Sequence, residues 1–211
     1  MMKTWAITDT GLVRKENQDT YRISESNRVC VVCDGMGGAA GGCVASNLAA
    51  ETYLSELEKV LKEDMTPEQL REASAYAVAM ANHAVEKRAE ADAELSNMGT
   101  TLVSAISYSD GVVISNVGDS RAYYVTETEI IRVTKDHSLV ETMVDHGDIT
   151  ADEARHHPSR NLITPMPPAT ALSVRWKAAP IFCFVRTGWS TQSRIRKCCL
   201  RSSTAIIRRP V

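Results

Sequence analysis

Two β-hairpins in succession constrain this chain more than any other feature. Thr101 to Ser109 and Val112 to Val117 are strand-like runs flanking Asp110-Gly111, a dipeptide that favours a type I′ turn. Gly118-Asp119-Ser120-Arg121 then interrupts, and Arg121 to Thr126 with Glu129 to Val133 makes the second hairpin. Strands joined by such short turns pair antiparallel, because a parallel pair needs a long crossover. A doubly wound fold is therefore excluded. Lys3 to Thr8 alternates as another strand, Tyr21-Arg22-Ile23 resumes one after a polar loop, and Val29 to Cys33 is a short apolar run suited to a buried strand. Two helices lie between these strands and the hairpins. Val44 to Glu63 places Val44, Leu48, Leu54, Leu57 and Leu61 near helical spacing. The second helix opens on the capping box Thr66-Pro67-Glu68-Gln69 and runs through alanines to about Asp92. The pattern predicts an α+β fold with an antiparallel helix pair lying on a sheet. A helix from Ser138 to His146 and a short capped one at Thr150 follow.

The apolar run ends on Asp34-Gly35-Met36-Gly37-Gly38. An aspartate there is expected to leave the sheet with its carboxylate in open space, and a bare Gly35 lets a metal or phosphate approach the backbone. Two nucleotide motifs match loosely and fail on context. Gly35-x-Gly37-x-x-Ala40 resembles a dinucleotide fingerprint, but two helices follow where a βαβ unit is required. A Walker loop needs Gly-Lys-Ser/Thr, which is absent. Asp119 repeats the arrangement of Asp34, following a strand and a glycine. The loop Arg14-Lys15-Glu16-Asn17-Gln18-Asp19 offers an arginine fork for an oxyanion beside a carboxylate for a cation, although a solvated turn accounts for the same residues. Three edge carboxylates, Asp19, Asp34 and Asp119, with no cysteine–histidine cluster suit a hard cation, Mg²⁺ or Mn²⁺. Such ions activate water and clamp phosphate oxygens during in-line displacement. His83, His137, His146, His156 and His157 lack ligand spacing and are read as surface or loop residues.

At 211 residues one domain is the default. No apolar run approaches the length of a membrane span, and no signal peptide opens the chain, so a cytoplasmic location with no membrane partner is expected. Cys30-x-x-Cys33 lies in a strand, where residues three apart face opposite sides, so buried free thiols are expected rather than a zinc or redox pair. Net charge conceals a break. Of the 24 basic residues nine lie after position 164, which leaves 15 against all 26 acidic ones before it, net −11, and a tail of +9. The tail shows no amphipathic period or aromatic interleaving, so no nucleic-acid partner is expected.

Six motifs in order resemble those of the metal-dependent PP2C-type (PPM) protein serine/threonine phosphatases in their compact bacterial form. They are Arg14-x-x-Asn17-Gln18-Asp19, Val32-Cys33-Asp34-Gly35-Met36-Gly37-Gly38, Met98-Gly99-Thr100-Thr101, Asn116-Val117-Gly118-Asp119-Ser120-Arg121, Thr134-x-Asp136-His137-Ser138 and His157-Pro158-x-Arg160-Asn161. The resemblance implies a central sandwich of two antiparallel sheets flanked by helix pairs, with its C-terminal strands incomplete here. It implies hydrolysis of phosphoserine and phosphothreonine in proteins by a water bridging two Mn²⁺ or Mg²⁺ ions. In that scheme Asp34 bridges both ions, the Gly35 carbonyl completes one shell and Asp19 holds metal-bound waters. Arg14 binds the substrate phosphate, and Asp119 serves a third, weaker ion. Met36 stands where many eukaryotic relatives carry a histidine proposed as general acid, a substitution shared by bacterial relatives. Residues 138–164 resemble the mobile flap beside the site. Phosphorylated proteins, the products of a Ser/Thr kinase, are the implied partners of a monomer.

The resemblance covers residues 1–164. The family's later Ser-Asp-Gly and Asp-Asn motifs carry metal ligands, and no Asp follows Asp152. Residues 165–211 are expected to form a basic, poorly ordered segment outside the domain and out of frame. Reading the codons of residues 182–191 one base earlier permits Leu-Leu-Cys-Ser-Asp-Gly-Leu-Val-Asn, the missing motif in its expected place. The alternative to an active phosphatase is therefore a truncated, catalytically impaired fragment or phosphoprotein-binding remnant.

Overall fold

The computed structural model describes residues 3–6, 8–10, 15–126, 128–164, 170–175, 181–185 and 206–208. Two antiparallel sheets stack face to face. The first has strand order β2-β3-β5-β6-β9, built from Asp19–Ile23 (β2), Val29–Met36 (β3), Leu102–Tyr108 (β5), Gly111–Val117 (β6) and Thr170–Arg175 (β9), with the short strand Gly99–Thr100 (β4) paired to β3. The second has order β1-β11-β10-β7-β8, from Lys3–Trp5 (β1), Arg121–Val125 (β7), Ile130–Arg132 (β8), Ile181–Val185 (β10) and Ile206–Arg208 (β11). Both hairpins form between the strand runs expected from the sequence. From the stretch after residue 164, the described backbone comprises β9, which pairs with β6, and β10 and β11, which pair with β7 and β1.

A helix pair, Gly38–Val60 (α1) and Pro67–Glu90 (α2), covers the outer face of the first sheet. Thr66 caps α2 through the reciprocal bonds that its capping box promises. Helix α1 starts well before Val44. Its first turns, Gly-Ala-Ala-Gly-Gly, have poor intrinsic propensity and form because packing overrides it. Alternation along β3 divides the core into two layers. Val29, Val31 and Cys33 face the helices, with Tyr53, Leu57, Leu70, Ala77 and Ile106. Cys30 faces the second sheet, with Val103, Val112, Ile114, Ala122 and Tyr124. Cys30 and Cys33 are thus buried free thiols on opposite faces, and burial pushes the Cys30 thiol up to about 12 and that of Cys33 also upward. The third thiol described, that of Cys43, is exposed.

Four hydroxyls thread the helix-side layer. Tyr53 Oη lies 2.7 Å from Ser74 Oγ and 2.6 Å from Ser104 Oγ, and Ser74 Oγ lies 2.6 Å from Ser115 Oγ. The string joins α1, α2, β5 and β6, and all four residues are fully buried.

Two local expectations change. The first hairpin turns through Ser109-Asp110, with Tyr108 paired to Gly111, and neither turn residue has positive φ, so the turn is not type I′. Gly111 is bare for a different reason. A Cβ there would lie 2.2 Å from the Val174 carbonyl oxygen of β9. The strand carrying Asp34 also does not stop at that residue but runs on to Met36.

Segment 138–164 leaves the second hairpin and returns to it. Ser138 caps Leu139–His146 (α3), Gly147 ends α3 in the left-handed region, and Ala151–His156 (α4) follows behind its own capping box. An antiparallel bridge between Ser138 and Ile163 closes the excursion, with Leu139 N–H donating to the Leu162 carbonyl and Thr164 N–H to that of His137.

Candidate active site

Asp19, the first residue of β2, and Asp34, two residues before the end of β3, are direct cross-strand partners. Residues so paired project from the same face of a sheet, which sets two half-buried carboxylates side by side. Each is held by its neighbours. Asn17 Oδ1 accepts from Asp19 N–H at 3.1 Å, and Asn17 Nδ2 donates to Thr8 Oγ1 at 2.7 Å. The ladder continues past the pair with Gly35 N–H donating to the Gln18 carbonyl at 3.1 Å. Gln18 Nε2 in turn donates to the Gly38 carbonyl at 2.6 Å, tying the loop to the start of α1.

Gly35 does not leave open space for an ion. A Cβ there would sit 1.9 Å from the Gly42 carbonyl oxygen, so the missing side chain is what lets α1 press onto β3. Gly37, at φ 122°, serves the same approach against Met98. Met36 is half-exposed and its thioether lies over Gly99, where a Cβ would meet it at 2.9 Å.

The peptide of Asp34 is clamped on both sides. Its N–H donates to Thr101 Oγ1 at 3.0 Å, and its carbonyl accepts from Thr101 N–H and Thr100 Oγ1, each at 3.0 Å. Thr101 Oγ1 also shares a hydrogen bond of 2.7 Å with Ser120 Oγ. Ser120 follows Asp119, whose buried side chain sits in the bend between β6 and β7. One threonine thus joins two aspartate-bearing segments that are far apart in sequence. Gly118, at φ 98°, makes this possible because a Cβ would strike Thr101 Cγ2 at 2.7 Å.

The bend is buttressed from behind. His137 Nδ1 accepts from Gly118 N–H at 3.2 Å, and His137 N–H donates to the Gly118 carbonyl at 2.9 Å. Partial burial lowers the His137 pKa, opposed by the charge of Asp136. Asp136 is buried and pairs with Arg121 and Arg132, and its hydrogen bonds raise the Arg121 pKa. These clamping groups, Thr100, Thr101, Ser120 and Asp136, are not singled out by the sequence reading, which holds them only as letters within motifs. A run of hydroxyl residues beside a glycine and a strand was the available signal.

Residues 13–174 match the sequence model of protein phosphatase 2C, most of the chain. The chain belongs to the PP2C family. Among relatives, it is 35% identical over 159 residues to the serine/threonine phosphatase Stp of Listeria monocytogenes serovar 1/2a, a match covering 74% of this chain and 63% of that protein. It is 36% identical over 158 residues to PstP of Mycobacterium tuberculosis, covering 75% of this chain and 29% of that one. The chain thus spans less than two thirds of the length of these curated relatives. The crystal structure of M. tuberculosis PstP/Ppp superposes with a TM-score of 0.80 at 27% identity, covering 98% of this chain and 97% of that one. Stp1 of Staphylococcus aureus gives 0.76 at 28%, covering 100% and 95%. The fold is PP2C-like, and all six motifs start within the matched residues.

Of the PP2C site residues expected from sequence, Asp19, Asp34 and Gly35 come together, while Asp119 is linked to them through Ser120 and Thr101. Arg14 lies outside the described residues. The donor set is oxygen only, which fits a hard divalent cation. Among the described residues no group of three or more His, Cys, Asp and Glu side chains converges on one point, so Asp119 does not join the pair in a single cluster. Asp19 also lines an open cleft of about 570 Å³ with Arg22 and Asn47. No described helix is long and apolar enough to cross a membrane.

Proposed function

We propose that this chain hydrolyses phosphoserine and phosphothreonine in proteins with a divalent metal, Mn²⁺ or Mg²⁺. The observation that carries the reading is the Asp19–Asp34 cross-strand pair beside Gly35 in a PP2C-family chain. Two half-buried carboxylates on one face repel each other, a repulsion that a divalent cation held there would relieve. Asp34 and the Gly35 carbonyl hold that cation, Asp19 orients its water shell, and Asp119 supports a further, weaker ion. A crystal structure of PstP is described as a complex with two manganese ions, which supports a two-ion count. The metal supplies positive charge for the phosphate oxygens and a water of lowered pKa. Arg14 receives the phosphate as a guanidinium fork. Thr100 and Thr101 fix the Asp34 peptide so that its carboxylate does not swing away. Substrates are phosphorylated proteins, met by a monomer in the cytoplasm.

The test is hydrolysis of p-nitrophenyl phosphate by the purified chain with and without Mn²⁺. Turnover is expected only with the metal, and Asp34→Ala is expected to abolish it. A second reading, a catalytically impaired phosphoprotein-binding relative, is favoured by two observations: among the described residues no third carboxylate joins the pair, and no Asp follows Asp152 in the sequence. Phosphopeptide binding without turnover supports that reading.

A further inference from the structure

A cavity of about 600 Å³ lies between α2 and the ends of β4, β5 and β6, starting where the carboxylate site stops. Met36, which follows Gly35, and Gly118, which precedes Asp119, both line it. Val78, Val85, Met98 and Leu102 give it an apolar lining, and among the described residues its ionisable lining is Glu86 and Glu90. These two are exposed and stand four apart on the last turns of α2, hence on one face, and neither forms an ion pair with a described residue.

This chemistry disfavours the phosphate itself. Two glutamates repel an anion, no described cationic side chain lines the cavity to offset them, and the donors of Asn82, Ser96, Thr100 and Thr164 are neutral. The volume also exceeds what a metal or its water shell needs. It suits an apolar side chain of a polypeptide, with a cationic neighbour on the glutamates. Met36 and Met98 add adaptable surface that receives side chains of different shape.

We infer that this cavity is a subsite for the polypeptide segment flanking the phosphorylated residue, taking an apolar side chain inside and a Lys or Arg at Glu86 and Glu90. The inference rests on the phosphatase reading for the identity of the neighbouring site. It makes sequence preference a property of α2, a helix that carries none of the candidate ligands.

The test uses three fluorescein-labelled phosphothreonine peptides with Leu and Arg flanks, Gly and Arg flanks, or Leu and Glu flanks. Binding to the full chain is followed by anisotropy. Replacing Leu by Gly is expected to weaken binding on the order of tenfold. Replacing Arg by Glu is expected to weaken it about fivefold. The exposed double variant E86K/E90K reverses the charge preference while hydrolysing p-nitrophenyl phosphate, which has no flanks, as the parent does. Ala89→Phe, which narrows the cavity, removes the Leu preference and keeps the charge preference. Equal affinity for the three peptides, or a preference unchanged in E86K/E90K, overturns the inference. Absence of p-nitrophenyl phosphate turnover in the parent overturns the phosphatase reading instead, and the binding preferences still decide the subsite.

Discussion

Thr101 is the residue on which the two aspartate-bearing segments meet. Its hydroxyl accepts from the Asp34 amide and partners Ser120. Thr101→Val keeps the shape and leaves a buried N–H and hydroxyl unsatisfied, a loss of roughly 1–3 kcal/mol. The expected result is a lower urea midpoint with an unchanged slope, restored by Thr101→Ser, and a Val variant as stable as the parent would show that the clamp contributes nothing. His137 carries a pH dependence of definite sign. Its folded pKa is lowered from 6.5, chiefly by burial, so the folded state favours the neutral ring whose Nδ1 accepts from Gly118. The contribution is complete above the unfolded pKa and is lost as pH falls through the folded value. Urea midpoints are therefore expected to decline from about pH 6.5 downward, and less steeply in His137→Asn, which keeps an acceptor but no titrating group.

The elements α1 and β3 approach at a distance that only glycine tolerates. Gly35→Ala forces a Cβ against the Gly42 carbonyl oxygen, and the backbone has to give because no flexible side chain is there to move. Overpacking of this kind costs about 1–3 kcal/mol or more, and it is expected to appear as a fall in melting temperature together with faster amide exchange at the start of α1. This is also where legibility in sequence ends. The hairpins, the Thr66 cap, the helix pair and the alternation of Cys30 and Cys33 follow from spacing and local chemistry, so they could be read. The pairing of Asp19 with Asp34 could not, because register between strands separated by a turn region depends on contacts with a third strand. The purpose of Gly35 was misread for the same reason: a bare backbone looks alike whether an ion or a helix occupies the space. Tyr53→Phe tests the contact of α1 with α2 and β5. Removing its hydroxyl leaves Ser74 and Ser104 short of a partner and is expected to cost about 1–3 kcal/mol, measured by chemical denaturation.

At the scale of the whole molecule, the family match runs to residue 174, past the charge break at 164, and β10 leaves the second sheet with Val185 beside Arg121, two residues after Asp119. The Ser-Asp-Gly of the shifted frame falls on codons 186–188, directly after that strand. Sequencing the gene across codons 160–200 is expected to show the shifted frame open, and the frame-restored protein is expected to bind Mn²⁺ more tightly in calorimetry. A single open frame with no Asp-Gly alternative would refute an out-of-frame tail. One consequence concerns how the helix layer finds its place. Ala73, Ala77 and Ala81 recur every four residues on the buried face of α2, so a slide by one turn, about 5.4 Å, exchanges alanine for alanine. Apolar contact opposes that displacement through the larger side chains, because Leu70, Val78 and Val85 have no apolar match of like size four residues on. Ser74 is not repeated at position 78, where Val stands, so the slide breaks the hydroxyl string while leaving the alanine stripe almost unchanged. Ser74 adds a directional, hydrogen-bonded mark to the steric ones of Leu70, Val78 and Val85, and replacing it with alanine is expected to loosen the register of α2 without abolishing it.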